Sequence, residues 1–370
     1  MLTIGVPSET KQGERRVALT PSAVALATQH GHRVLVQAGA GAGAGFADAA
    51  YTRSGAVLVT DAAEVWAADL VVKVKEPQLA EYAHFRDDLT LFAYLHLAAE
   101  PELTAALVAS GTRAYAFETL TDHRGELPLL APMSEIAGRA AAIVGAAQLS
   151  TANGGSGTLM GGAAGVPPAK AVVIGLGVAG TMAARGLRGL DGHVTGVDID
   201  LHRLYEHHLD GTVDATQVSE PELLAGHVRE ADIVVGAALV PGARAPVVVT
   251  EEHVASMRPG SVVVDLAIDQ GGCIATARPT SLAEPTYEVH GVRHYCVTNV
   301  PGQFPRTASA ALSAAVAPRL LALAAEVDAG RVGTPEESAA LRGASNVAAG
   351  SLTHPAVAEA FPALPGSDAG

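Results

Sequence analysis

The chain is poor in cysteine: Cys273 and Cys296 are the only two in 370 residues. That pair builds neither a disulfide framework nor a cysteine zinc site, so no metal is expected. Positive charge is also scarce, with 24 Lys and Arg against 38 Asp and Glu, a net of −14. Phosphate backbones and anionic bilayers are bound through clustered Lys and Arg, so neither nucleic acid nor a membrane is the expected partner. A local basic pocket for a small anion is still compatible with this balance. No charge-free apolar run reaches the ~18 residues of a membrane span. The opening MLTIGVPSETK lacks the basic-then-apolar layout of a signal peptide. The expectation is a cytoplasmic protein. Charged residues make up only 17% and hydrophobic residues 49%, a globular and not a disordered composition.

What is present is an alternation of short apolar runs with Ala-rich stretches. Chain length suggests about two domains of ~150 residues. LTIGV (2–6), RVLVQ (33–37), LVVKV (70–74), LFAYL (91–95) and RAYAF (113–117) are compact, β-branched or aromatic runs. Thr20-Pro21 reads as an N-cap with Pro at the first helical position, and Gly31 as the stop. Residues 134–150 read as a long helix, and the Gly- and Pro-rich 153–170 as a loop or hinge. A second series follows with AVVIG, HVTGVD (193–198), DIVVGA (232–237) and SVVVDLAI (261–268). The expected fold is α/β, two doubly wound Rossmann-like domains with a cleft between them. Residues 1–133 plus 307–370 would form one domain and 134–306 the nucleotide-binding one. Residues 308–327 are strongly helical with a kink at Pro318, and 340–370 read as small and partly irregular. The AGAGAGAG run (38–45) reads as a flexible turn in preference to a phosphate loop, because no helix clearly starts after it.

Gly175-Leu-Gly177-Val178-Ala179-Gly180 follows an apolar strand and opens an Ala-rich helix. Alone, GxGxxG is a weak signal. Here the strand precedes it, the helix follows, and Asp198 closes the next strand near the expected ~20-residue distance. The first Gly permits the tight turn, the second the approach of a pyrophosphate, and the third close helix–strand packing. An acidic Asp198 accepts from ribose hydroxyls and repels a 2′-phosphate, so the expected cofactor is NAD and not NADP. The bland alternative is a glycine turn with no ligand. Arg203 would soften the exclusion of NADP, but a solvated helix charge is its default reading.

Ligands of open α/β sheets bind beyond the carboxyl ends of the strands. Arg16, Lys75 and His96 follow apolar runs of the first series, and Asp269 follows one of the second. Two cations suit a carboxylate substrate, and an imidazole can move protons near neutral pH. Each also has an ordinary reading: Arg16 beside Glu14, Lys75 paired with Glu76, His96 packed at a strand end, Asp269 capping its turn. Their shared placement at strand ends raises the functional one.

At these residues the sequence resembles the alanine dehydrogenase/transhydrogenase α-subunit family. The matching segments are IGVPSETKQGERRVALTP, GHRVLVQAGAG, VKVKEPQ, FAYLHLA, LPLLAPMSEIAGR, VVIGLGVAG, GAALVPGARAP, VVVDLAIDQGGC and YCVTNVPG, in family order from residue 4 to about 302. The resemblance implies NAD-dependent oxidative deamination of L-alanine to pyruvate and ammonium, and the reverse amination. It implies that Arg16 and Lys75 bind the substrate, and that His96 and Asp269 are catalytic. For the cofactor it points to Ser134, the glycine loop, Asp198, Arg203 and Ser219. Leu239, Val240, Leu266, Ala267, Ile268, Asp269, Arg278, Val297, Thr298, Asn299 and Val300 would complete that pocket. A homohexamer is the implied assembly. A transhydrogenase subunit passing hydride between nicotinamides, a saccharopine- or opine-type dehydrogenase, and a non-catalytic NAD-sensing module stand as alternatives. Nicotinamide turnover with alanine, or with pyruvate plus ammonium, separates them.

Overall fold

A computed structural model describes residues 1–238, 245–334 and 336–366. The chain divides into two compact units, Met1–Met133 with Phe304–Gly370, and Ser134–Gln303.

The first unit opens with β1 (Thr3–Val6), β2 (Arg33–Gln37), β3 (Val57–Val59), β4 (Leu70–Val72), β5 (Thr90–Ala93) and β6 (Arg113–Ala116). These six are parallel and ordered 3-2-1-4-5-6, so the direction of winding switches between β1 and β4. Their apolar runs are continuous because helices cover both faces; Ile4, Val34, Val71 and Leu91 are fully buried. Helix Pro21–Gln29 begins at Thr20 as expected, but the Thr20 hydroxyl does not cap it. Thr20 instead bonds Ser313, through its N–H (2.9 Å) and between the two hydroxyls (3.1 Å). Helix Pro305–Asp328 runs on through Pro318. By length and composition this helix could cross a membrane, yet half of its apolar window is buried. Leu312, Val316, Leu320 and Leu323 face the core, and Ser309 accepts the Val17 N–H at 3.0 Å. It serves as a core helix.

The AGAGAGAG run is not a loose turn. It forms a 3₁₀ turn at Ala42–Ala44. A Cβ on Gly43 would lie 2.8 Å from the Arg15 carbonyl, and one on Gly41 2.6 Å from the Tyr51 ring. The glycines permit close packing against the segment that carries Arg16.

The second unit contains β7 (Lys170–Ile174), β8 (His193–Asp198), β9 (Ala215–Val218), β10 (Ile233–Gly236), β11 (Val262–Asp265), β12 (Thr286–Val289) and β13 (Val292–Tyr295). The sheet order is 12-13-11-10-7-8-9, parallel except for the β12–β13 hairpin. That hairpin turns on His290 and Gly291, with φ of 53° and 75°. Two successive positive φ values suit the right-handed twist of a two-residue turn. The winding switches between β7 and β10, where the glycine loop stands.

The chain then returns to the first unit and adds β14 (Ser345–Ala348) and β15 (Ser351–Leu352). β14 pairs antiparallel with β6, and β15 with β14. The tail expected to be irregular thus extends the first sheet.

Candidate active site

Arg16, Lys75 and His96 follow β1, β4 and β5, so they emerge at the same, carboxyl-terminal edge of one parallel sheet. The Arg16 guanidinium is buried. Its Nε and Nη2 donate to the Glu14 carboxylate at 2.7 and 2.5 Å, and its Nη1 donates to Met133 Sδ at 3.1 Å. Burial works against the charge, but the Glu14 carboxylate outweighs it and raises the Arg16 pKa. The bland expectation of a surface charge is therefore wrong for Arg16: the group is held in a fixed plane inside the unit. Lys75 Nζ lies 3.5 Å from Glu76 Oε2, with the side chain 13% exposed. His96 is 44% exposed at its side chain, its ring parallel to Tyr94 with centroids 6.1 Å apart.

Carboxylates brace this edge. Glu14 Oε1 also accepts the Arg16 N–H at 2.9 Å. Glu9 accepts the N–H groups of Val74 (2.6 Å) and Lys75 (3.2 Å). Glu118 accepts those of Leu95 (3.2 Å) and His96 (2.5 Å). Beneath them Lys73, fully buried, donates to both oxygens of Glu81 at 2.9 and 2.8 Å. Glu81 further accepts from the Thr10 hydroxyl and the Gln78 N–H. Lys11 pairs with Glu76. Glu9, Glu118, Tyr94 and Met133 are not among the residues expected from the sequence, and Glu14 is there only as the neighbour of Arg16. The rule that found His96, a polar residue directly after an apolar run, also picks Glu118 after RAYAF. Glu9 and Glu14 carry no such signal.

In the second unit each glycine of the fingerprint has its own physical reason. Gly175 has φ +87°, and a Cβ there would meet the Ala237 carbonyl at 2.7 Å. A Cβ on Gly180 would lie 1.8 Å from the Gly175 oxygen. Gly177 differs: among the described residues its Cβ would meet only Arg203 Nη1 within 4 Å, at 3.9 Å. The chain's own packing thus demands glycine at the first and third positions, while the second leaves open space over the start of helix Val178–Arg188. That is the cradle a pyrophosphate fits, with helix N–H groups and a partial positive charge beneath it. Val178 and Ala179 form the first turn of that helix. Gly138 of helix Ala131–Gln148 packs onto the Ala179 carbonyl, where a Cβ would come to 2.1 Å. Ser134 stands one turn before Gly138.

Asp198 ends β8, buried, accepting the N–H groups of Leu176 (2.6 Å) and Asp200 (2.9 Å). A carboxylate has about four acceptor sites, so two more bonds can be made. Arg203, half-exposed, lies 3.9 Å from Asp198 and 3.7 Å from Asp200, so it is paired and not merely solvated. The Ser219 N–H donates to the Asp198 carbonyl at 3.0 Å, which puts Ser219 beside the fingerprint acid.

Leu266, Ala267 and Ile268 form the turn after β11. Asp265 holds this turn by accepting the N–H groups of Ala267 (2.9 Å), Cys273 (2.9 Å) and Ile274 (3.1 Å). Asp269 is exposed, and its Oδ2 accepts the Asn299 N–H at 3.2 Å. Asn299 sits at φ 54° within the stretch Val297, Thr298, Asn299 and Val300. Arg278 lies over the Tyr287 ring at 4.1 Å, two residues before Thr280, whose N–H bonds the Cys296 carbonyl at 2.9 Å. Leu239 and Val240 lie outside the described residues. Among the described residues no cluster of His, Cys, Asp and Glu is arranged to hold a metal.

Known proteins resemble this chain across both units. The alanine dehydrogenase/PNT N-terminal domain matches residues 5–137, and the C-terminal domain of the same name residues 141–355. The alanine dehydrogenase of Bacillus subtilis is 48% identical over 359 residues, covering 96% of this chain and 94% of its own. That of Halomonas elongata is 48% identical, covering 97% of both chains. A solved L-alanine dehydrogenase superposes with TM-score 0.91 at 46% identity, over 97% of this chain and 99% of that one. The transhydrogenase from Sinorhizobium meliloti superposes at 0.81 with 29% identity, over 96% and 99%. Matched across both units by paired domains of one description and by full-length relatives, the chain belongs to the alanine dehydrogenase/PNT family.

Proposed function

We propose that this chain catalyses the NAD-dependent oxidative deamination of L-alanine to pyruvate and ammonium, and the reverse reductive amination. The observation that carries the proposal is the grouping of Arg16, Lys75 and His96 at one edge of the first sheet, each fixed by a glutamate. A glycine loop with an open second position supports a dinucleotide in the second unit. NAD is favoured over its 2′-phosphorylated form because Asp198 presents a carboxylate to the ribose. Ser134, Arg203, Ser219, Arg278 and residues 266–269 and 297–300 are the further cofactor contacts in this reading.

The glycine loop at 175–180 and Asp198 would hold NAD⁺, which would supply the acceptor for the hydride of the substrate α-carbon. Arg16 presents a fixed positive charge to the substrate carboxylate, the plane of its guanidinium already set by Glu14. Lys75 adds a point charge beside it. Their joint work is orientation, with the α-carbon held in one pose. The oxidised substrate is an iminium, and Asp269 stabilises its positive charge. His96 takes a proton from the water that attacks the iminium carbon and returns one to the departing nitrogen. Water and alanine thus become pyruvate and ammonium, with one further proton released.

NADH absorbance with L-alanine and NAD⁺ tests the activity. His96→Ala is expected to lower kcat by about 10²–10⁴-fold, the usual contribution of a positioned acid/base. Hydride exchange between nicotinamides without amino-acid oxidation would favour the transhydrogenase reading instead. The assembly in this reading is a homohexamer in the cytoplasm. Sedimentation at six times the 37.4 kDa chain mass checks its size.

A further inference from the structure

We propose that Glu9 and Glu118 are positioning residues, each clamping a strand-end turn so that Lys75 and His96 point in one fixed direction. The inference rests on the substrate and acid/base roles given to Lys75 and His96 above.

β4 and β5 are neighbouring inner strands of the first sheet, flanked by β1 and β6. The N–H groups of Lys73 and Tyr94 still bond the backbone carbonyls of Phe92 and Val74, and beyond them the next N–H groups need other acceptors. In both turns the acceptor is a carboxylate carried past the end of the flanking strand. Glu9 follows β1 and takes the N–H groups of Val74 and Lys75. Glu118 follows β6 and takes those of Leu95 and His96. Each clamp thus holds two consecutive peptides, which fixes the direction of the Cα–Cβ bond and not merely the position of the chain. Both acids are largely buried, with side chains 3% and 15% exposed.

The His96 clamp has a second mark. His96 has φ 50° and ψ 37°, a left-handed backbone that a residue with a Cβ rarely adopts. Such a conformation persists only where its surroundings over-determine it. The Glu118 carboxylate supplies that constraint. Its Oε1 also lies 3.9 Å from His96 Nδ1, too long for a hydrogen bond. The brace therefore acts through the backbone and leaves the ring nitrogens for chemistry.

The two clamps make separable predictions. Glu118→Ala is expected to lower kcat for alanine by about 10–100-fold while KM changes little, because the proton-transfer group is displaced. Glu9→Ala is expected to raise the KM for alanine by about tenfold or more with a smaller change in kcat, because a binding cation is displaced. Glu118→Gln and Glu9→Gln keep one oxygen acceptor and should recover part of each loss. NAD⁺ affinity, read by NADH fluorescence, should match wild type in all four and reports that the chain is folded. Equal changes of kcat and KM in both series, or no rescue by Gln, would show a merely structural brace and overturn the proposal. If His96→Ala is inactive while Glu118→Ala and Glu9→Ala match wild type, this inference alone fails. If His96→Ala itself matches wild type, the reading beneath it fails.

Discussion

Gly177 and Gly180 stand three residues apart and answer to different forces. Gly180 is required by the chain itself, since a Cβ would overlap the Gly175 carbonyl at 1.8 Å. Gly177 has φ −69° and open space, so the unliganded fold has room for alanine. Gly177→Ala should leave stability nearly unchanged, within about 0.5 kcal/mol, because a less flexible unfolded chain offsets the poorer fit of alanine at this N-cap. Its methyl would fill the pyrophosphate cradle and weaken NAD⁺ by about tenfold or more. Gly180→Ala should lose stability and affinity together. Thermal melts paired with NADH titration separate the two, and a Gly177→Ala enzyme with wild-type NAD⁺ affinity would remove the cradle from the argument. Asp265 supplies a pH test at the same scale. Burial pushes its carboxyl up from 3.8 to about 6, although three N–H groups partly compensate. The folded state therefore favours the protonated acid. Its stabilising contribution is complete below pH 3.8 and is lost as pH rises towards 6, by on the order of 3 kcal/mol. Asp265→Asn cannot titrate, so the melting difference between wild type and variant should shift in the variant's favour from pH 4.5 to 6.5. A constant difference would show that Asp265 is not perturbed.

At the scale of elements, what could be read from the sequence depends on where an element's information resides. The inner strands were legible because burial on both faces forces unbroken apolar runs such as AVVIG and SVVVDLAI. β9 was not, since ATQV lies at a sheet edge where half-burial relaxes the pattern. β14 escaped for another reason: Ser345 and Asn346 look polar but are buried. The Ser345 carbonyl accepts from Thr353, and Asn346 lies against the Thr119 hydroxyl at 3.4–3.5 Å. Those partners lie across turns or 227 residues away, so no local window displays them. The candidate site divides in the same way. Arg16, Lys75, His96 and Asp269 stand out because charge follows an apolar run at each. Glu14 is local to Arg16, but the glutamates that fix Lys75 and His96 are recognisable only once neighbouring strands are known, because Glu9 meets Lys75 across 66 residues and Glu118 meets His96 across 22.

Across the whole molecule the two units divide the labour by ligand. In the proposed reading the first binds substrate through Arg16, Lys75 and His96, and the second binds NAD through the glycine loop and Asp198. Amide hydrogen exchange can test that division directly, since binding slows exchange where it suppresses local opening. NAD⁺ alone should protect residues 175–181 and 198–203, where backbone N–H groups line the proposed cradle. Pyruvate alone should protect the turns at 14–16, 74–76 and 95–97, where buried carboxylates hold the backbone. The clamps sharpen the expectation: in Glu118→Ala the 95–96 amides should exchange faster before any ligand is added, with the 175–181 segment unchanged. Pyruvate that protected only the second unit would place the substrate cations elsewhere, and with them the proposed roles of Arg16 and Lys75.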